Sequence, residues 1–374
     1  MEDTHIQPAG GCPQANPGQS RACPQARQDL QRGLPADSGK QRLKVLVLMG
    51  GPSAERTVSL ASGQAVCRAL QQAGFEVIHG DIGPDDLTIL DEPTCDVVFP
   101  VLHGTFGEDG QLQTILEQRG LAYCGSDARA SALAMDKHRS RQAFIKAGLL
   151  CAPAELIGAE HADDKAAIDS TMARLGLPCV VKPNAQGSSV GITIATEPDQ
   201  ARQAVQTVLR NYGDCLVERF IEGRELTVGI MAGQSLPVLE VKPAAGFYDY
   251  HAKYEDNQTE YLFETNLGPS VLGAVEQAAC RAFEALGCRD FARVDFIVDA
   301  QQRPFVLEVN TIPGFTDHSL LPKAADRAGI VMCEMCRHIV QMAWQRRDKA
   351  TAPGSSRPTN ASTPRLYSNT ETGR

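Results

Sequence analysis

Residues 291–310, FARVDFIVDAQQRPFVLEVN, are patterned as a β-hairpin. Two runs rich in Val, Phe and Ile flank a polar turn at Asp299–Arg303. Strand side chains alternate with period two, so Arg293 and Asp295 share one face while Val294, Phe296 and Val298 share the other. On the return run Glu308 and Asn310 share a face, backed by Leu307 and Val309. A turn centred between Gln301 and Gln302 sets Asp295 opposite Glu308 and Arg293 opposite Asn310. The resulting patch holds two carboxylates, an amide oxygen and a guanidinium on a rigid sheet. Such a hard, oxygen-rich set suits Mg²⁺ with a cation beside it. The same pattern equally admits a solvated strand face with ordinary cross-strand charge pairing. Pattern alone does not choose between them.

The chain has 374 residues, enough for two or three domains with their own cores. Its 43% hydrophobic and 22% charged content is that of a soluble globular protein. A formal charge of −9 and a pI near 5.4 argue against a nucleic acid or an anionic membrane as partner. No apolar run has membrane-spanning length, and the N-terminal MEDTHIQPAGGCPQANPG lacks the apolar core of a secretory signal. A cytoplasmic protein is expected. Its 12 cysteines are scattered and mostly lie inside apolar patterns, where free thiols are expected. The lone Cys333-x-x-Cys336 has no second pair and falls on an amphipathic helix, so it is a poor zinc or redox motif.

Residues 1–42 lack aromatic side chains and are rich in Gln, Pro, Gly and Arg, so a disordered extension is expected. A similar low-complexity tail is expected over 347–374. Between them, KVLVLM reads as a buried strand that breaks at Gly50-Gly51-Pro52 and enters a helix ending near Gly74. FEVIH and DVVFPVLHG follow as strands. This βαβ alternation implies a parallel sheet that receives ligands at its C-terminal strand ends. Glu55 stands there, as a site residue or as a first-turn acid favoured by the helix dipole. His103 opens the glycine-rich loop HGTFGEDG, placed to bring backbone close to a ligand.

The segment SDARASALAMDKHRSRQAFIKAG reads as helical and includes Lys137 among several bases, a pattern also fit for a solvated face. From Gly176 on, the pattern becomes strands. Lys182 ends a buried strand and precedes a loop containing Ser188 and Ser189, a combination able to grip phosphate through charge, hydroxyls and backbone N–H groups. Glu218 and Glu225 bracket the next strand pair, where a strand edge can hold adenine and a carboxylate can hold ribose; surface acids fit equally well. The irregular GFYDYHAKYEDNQTEY is long enough for a lid. A helix is expected over Ser270 to Leu286. Ser319 lies at a helix start, where an N-cap is the common use.

Seven motifs in order carry a resemblance: GGPSAERTVSLASG, HGTFGEDG, MDKHRS, VVKPNAQGSSVG, GFYDYHAKY, ARVDF and LEVNTIPGFTDHSLLP. From about Lys44 to Trp344, about 300 residues, the chain resembles the D-alanine–D-alanine ligases, ATP-grasp enzymes of peptidoglycan synthesis. The resemblance implies an α/β (α+β overall) ATP-grasp fold in three domains: a Rossmann-like parallel sheet at 43–126, a central ATP-grasp subdomain at 127–217, and a C-terminal domain at 218–346. It implies that Lys137, Lys182 and the lid residue Lys253 hold ATP phosphates, with Ser188 and Ser189. Glu218, Ile221 and Glu225 are implied adenine and ribose contacts. Asp295, Glu308 and Asn310 are implied ligands of two Mg²⁺ ions, which Mn²⁺ can replace. Glu55, His103, Ser319 and Leu320 are implied contacts of D-alanine, with Ser188 and Tyr254 linking Glu55 to the lid. Arg293 and the backbone at Gly314 are implied oxyanion donors. The family also implies a homodimer. Ala185-Gln186 and Arg219 depart from residues frequent in the family, next to the implied nucleotide contacts. D-Ala–D-Ser and D-Ala–D-lactate ligases are the related alternatives, and the implied Lys253-Tyr254 pair follows the dipeptide pattern. An inactive nucleotide-binding regulator would have lost metal ligands, and an NAD enzyme would carry a glycine fingerprint absent here.

Overall fold

The computed structural model describes residues 42–91, 95–242 and 259–351. Most of the expected lid, with Lys253 and Tyr254, and residues 1–41 of the expected N-terminal extension lie outside the described residues, while the last lid residues enter strand at Glu260–Leu262. Three sheets organise the described residues.

The first sheet is parallel. Strand β1 (Lys44–Met49) lies between β2 (Glu76–Asp81) and β3 (Val97–Pro100). β1 is apolar on both faces because helices cover both, as expected for a central parallel strand. Helix α1 (Arg56–Gln72) crosses between β1 and β2. The turn into it requires glycine: Gly50 has φ +85°, and a Cβ there would sit 2.0 Å from Asp81 Oδ1. Ser59 on α1 fastens this turn, accepting from Gly50 N at 2.9 Å and donating to the Val101 carbonyl at 2.8 Å. Helix α2 (Gln111–Gln118) follows the glycine-rich loop.

The expected single helix after Ser126 is two: α3 (Ala128–Met135) and α4 (Lys137–Lys146). The break falls at Asp136, whose extended backbone ends one helix while its carboxylate caps the next, accepting from Arg139 N at 3.0 Å.

The second sheet is antiparallel, with strands β4 (Ala154–Ile157), β7 (Cys215–Arg219), β5 (Cys179–Pro183) and β6 (Thr193–Ala195) in that order. Helices α5 (Lys165–Leu175) and α6 (Pro198–Tyr212) cover one face through Ile168, Met172, Val205 and Leu209. The third sheet runs β11 (Glu260–Leu262), β10 (Leu239–Lys242), β8 (Gly223–Met231), β12 (Phe291–Asp299) and β13 (Pro304–Asn310), with β9 (Gln234–Ser235) beside β8. Helix α7 (Pro269–Leu286) packs behind it through Val275, Ala279 and Phe283. On the opposite face Met231 and Phe291 enter the core shared with the first sheet, Leu239 and Val241 pack on Leu320, and Thr227, Arg293 and Asp295 lie between them.

Helices α8 (Leu320–Arg327) and α9 (Met332–Thr351) end the described residues; α9 continues past the boundary expected near residue 347. One core joins the first and third sheets. In it the rings of Phe99, Phe291 and Phe315 meet, with Phe315 edge-on to Phe99 at 5.5 Å and to Phe291 at 5.3 Å between centroids. Cys336 is buried in the same core, and the ten described cysteines are all free. Among the described residues no helix is long and apolar enough to cross a membrane.

Candidate active site

A cleft of about 450 Å³ opens between the second and third sheets. Its floor is the hairpin face. Asp295 pairs with Glu308 and Arg293 with Asn310 as expected, but the turn is centred on Gln301, with Val298 facing Pro304, and not between Gln301 and Gln302. Arg293 grips Asp295 through both nitrogens, Nε to Oδ1 at 2.9 Å and Nη2 to Oδ2 at 2.8 Å, and Thr227 Oγ1 donates to Oδ1 at 2.6 Å. Just beyond Asp295 the register shifts by one, so Phe296 faces Val306. This bulge corrects the expectation for Leu307, which lines the cleft beside Glu308 instead of backing it.

Two lysines enter from the other side. Lys182 is the next-to-last residue of β5, and its Nζ lies 2.7 Å from Glu218 Oε2. Lys137 begins α4; its Nζ lies 3.2 Å from Glu308 Oε2 and donates to the Gln186 carbonyl at 2.6 Å. Both are buried, so the solvated-face alternative fails for Lys137. Four residues on, Arg141 faces the same way, bonds the Ala152 carbonyl and reaches Glu218 Oε1 at 3.3 Å. Glu218 thus lies between two cations and is itself buried, not a surface acid. Ser189, Ile221 and Glu225 line the same cleft, whose apolar side includes Val180, Ile297 and Leu307.

A second, smaller hollow, about 40 Å³, adjoins the first, and Lys137 and Glu308 line both. Here Ser188 donates to Glu55 Oε1, joining the glycine loop after β5 to the start of α1. Ser188 (φ 48°) and Ser189 (φ 58°) are both left-handed, a costly conformation for side-chain-bearing residues that recurs at binding loops. Glu55 occupies the N-cap position of α1, yet its side chain makes no capping bond. His103 is buried close by. Burial holds its imidazole below the ordinary histidine range, opposed by Glu55 and the Ile312 backbone, and its Nε2 has no hydrogen-bond partner among the described residues. Ser319 likewise starts α8 without capping it; its Oγ accepts from Thr316 N at 3.0 Å. The turn passes close to Gly314, where a Cβ would lie 2.6 Å from Ser319 Oγ. Leu320 is buried against Leu239 and Val241.

Among the described residues no three His, Cys, Asp or Glu side chains group as a self-sufficient metal cage. Two facing carboxylates and the Asn310 amide oxygen remain. That set fits Mg²⁺, which typically takes one or two carboxylates from protein and further oxygens from phosphates and water.

Residues 86–126 match the family described as "D-ala D-ala ligase N-terminus", and residues 145–341 match "D-ala D-ala ligase C-terminus". The chain is 42% identical over 303 residues to the D-alanine–D-alanine ligase of Citrifermentans bemidjiense, covering 81% of this chain and 97% of that one. The chain belongs to the D-alanine–D-alanine ligase family. Among solved structures of the family, the Bacillus anthracis ligase complexed with ATP superposes with a TM-score of 0.70 at 30% identity, covering 82% of this chain and 99% of that one. The VanG D-Ala:D-Ser ligase of Enterococcus faecalis is similar too, with a TM-score of 0.72 at 28% identity, covering 81% and 100%. The fold is therefore the ATP-grasp fold of these ligases, as the motifs led one to expect.

Two residues of the site were not singled out from sequence. Arg141 had a signal, its i+4 spacing from Lys137. Glu108 stood within the quoted HGTFGEDG motif. It lines the smaller hollow and ties two loops together, accepting from Gly104 N at 2.7 Å and Ile312 N at 3.3 Å.

Proposed function

We propose that this member of the family ligates two molecules of D-alanine to D-alanyl-D-alanine, converting ATP to ADP and phosphate, for peptidoglycan precursors. The observation that carries it is that the cleft and the small hollow meet at Lys137 and Glu308, so a nucleotide's terminal phosphate in one adjoins an amino acid in the other.

The cleft's apolar walls and Glu218, Ile221 and Glu225 suit the adenine and ribose, while Lys137 and Lys182, with Ser188 and Ser189, face the phosphates. Glu55 carries the charge to hold the ammonium of the first D-alanine, with Ser319, His103 and Leu320 completing its contacts. The substrate carboxylate attacks the γ-phosphorus; the new O–P bond replaces the bond to ADP, giving an acyl phosphate. The neutral amine of the second D-alanine then attacks the acyl carbon, the C–N bond forms, phosphate departs and the amine loses a proton. Arg293 and the backbone at Gly314 stabilise the oxyanion formed in that attack. Asp295, Glu308 and Asn310 would hold Mg²⁺, with Mn²⁺ a substitute, and the ion supplies positive charge to the phosphates as negative charge shifts between them. Lysines on one side and ion-holding carboxylates on the other confine the phosphoryl group, so its transfer needs positioning more than covalent help.

We place the enzyme in the cytoplasm as a homodimer, with domains at 43–126, 127–217 and 218–346. A coupled assay of ADP formation tests the function. D-alanine with ATP and Mg²⁺ is expected to give turnover, and L-alanine none. Turnover requiring D-serine as second substrate would instead favour the activity named for the VanG relative, and turnover requiring D-lactate a D-Ala–D-lactate ligase.

A further inference from the structure

Asn184 lies one residue beyond β5 and two beyond Lys182, is buried, and lines neither hollow. Every polar group it has is engaged. Its N–H donates to the Asp214 carbonyl at 2.9 Å, and its carbonyl accepts from Lys137 N at 3.0 Å. Its side-chain Oδ1 accepts from His138 N at 2.8 Å, and Nδ2 donates to Asp136 Oδ1 at 3.0 Å.

These bonds satisfy the start of α4. The first N–H groups of a helix have no partner within it. Here Asn184 takes those of Lys137 and His138, and Asp136 takes that of Arg139. Two residues further on, the Gln186 carbonyl accepts from Lys137 Nζ. The segment 184–186 therefore holds Lys137 at both its backbone and its ammonium, while Lys182 stands on the strand that leads into it.

We propose that Asn184 is a positioning residue that locks Lys137 and Lys182 into one geometry for a nucleotide's phosphates. The proposal rests on reading the cleft as the ATP site. An amide is required because one oxygen must accept from a backbone N–H while one nitrogen donates to a carboxylate. A carboxylate at 184 would face that of Asp136, setting two like charges against each other. Exchanging the two side chains restores complementarity. Asp136 Oδ1 natively accepts from both Arg139 N and Asn184 Nδ2, so the amide then at position 136 turns its nitrogen toward the carboxylate at position 184, giving up the Arg139 cap, and that carboxylate still accepts from His138 N.

The test compares affinities of Mg·ADP and of adenosine, which lacks phosphate, for the full-length chain and its N184A, N184D and D136N/N184D variants. N184A and N184D are expected to weaken Mg·ADP about tenfold or more and to leave adenosine within about twofold, a change typical of losing a hydrogen bond beside a charged group. The double variant is expected to recover most of the loss of N184D. Unchanged Mg·ADP affinity in N184A, equal weakening of both ligands, or no recovery in the double variant overturns the proposal. If N184A loses its cooperative unfolding transition, N184D and the double variant decide alone. A wild-type chain that binds no Mg·ADP contradicts the nucleotide reading itself and this proposal with it; normal wild-type binding with an unaffected N184A contradicts only the latter.

Discussion

Arg293 holds Asp295 in a two-pronged ion pair from two residues away on the same strand face. The pair fixes the Asp295 carboxylate beside Glu308. Lysine at 293 would keep the charge and lose the fork. R293K is therefore expected to lower kcat on the order of 10²-fold, the usual cost of losing an oxyanion donor. Steady-state rates at saturating D-alanine and ATP check this; a variant within about twofold of wild type would remove Arg293 from the chemistry.

Glu308 pairs with Lys137 at 3.2 Å and is partly exposed, so its charge can be removed without leaving a sealed void. E308Q is expected to retain its thermal midpoint and to release no measurable phosphate from ATP with D-alanine. Wild-type turnover in this folded variant contradicts the role given to the hairpin carboxylates.

Glu108 gives a pH signature. Burial first, and the nearby Glu55 second, push its carboxyl up to about 8 from 4.5, against the pull of the Gly104 and Ile312 N–H groups. Between those pH values the unfolded chain has lost a proton that the native chain keeps. Fewer protons on the unfolded side mean that this group's contribution to stability is full below pH 4.5 and declines up to about pH 8. The loss is on the order of 1 kcal/mol per pH unit where it is steepest. Urea unfolding across this window is expected to show E108Q gaining on wild type as pH rises. A constant difference between the two chains contradicts the raised value.

Phe315 is fully buried between Phe99 and Phe291, and its N–H donates to Ser62 Oγ at 3.1 Å. It seals the joint between the first and third sheets and anchors the loop that carries Gly314. F315A is expected to cost about 3–5 kcal/mol of unfolding free energy, as for other buried aromatic truncations. Denaturant titration measures it, and a loss below about 1 kcal/mol would show that the joint repacks freely.

The pairing at the site was legible from its charged positions, although the turn is centred on Gln301 and not between Gln301 and Gln302, and only the bulge beyond Asp295 offsets that difference. The bulge was not. Phe305, Val306 and Leu307 are all apolar, so one extra residue leaves no mark on the alternation. The break between α3 and α4 was also hidden, since Met-Asp-Lys contains neither Gly nor Pro; only an aspartate fit to cap a helix hinted at it. Arg141 and Glu108 escaped notice for another reason. Their importance lies in burial and in partners far along the chain, Glu218 and Ile312, which local pattern does not contain.

The most direct measurement is an anomalous difference map from crystals grown with Mn²⁺ and ADP. A manganese peak bounded by Asp295, Glu308 and the nucleotide phosphates is the predicted result. Bound ADP with no metal between its phosphates and those two carboxylates would contradict the proposed chemistry.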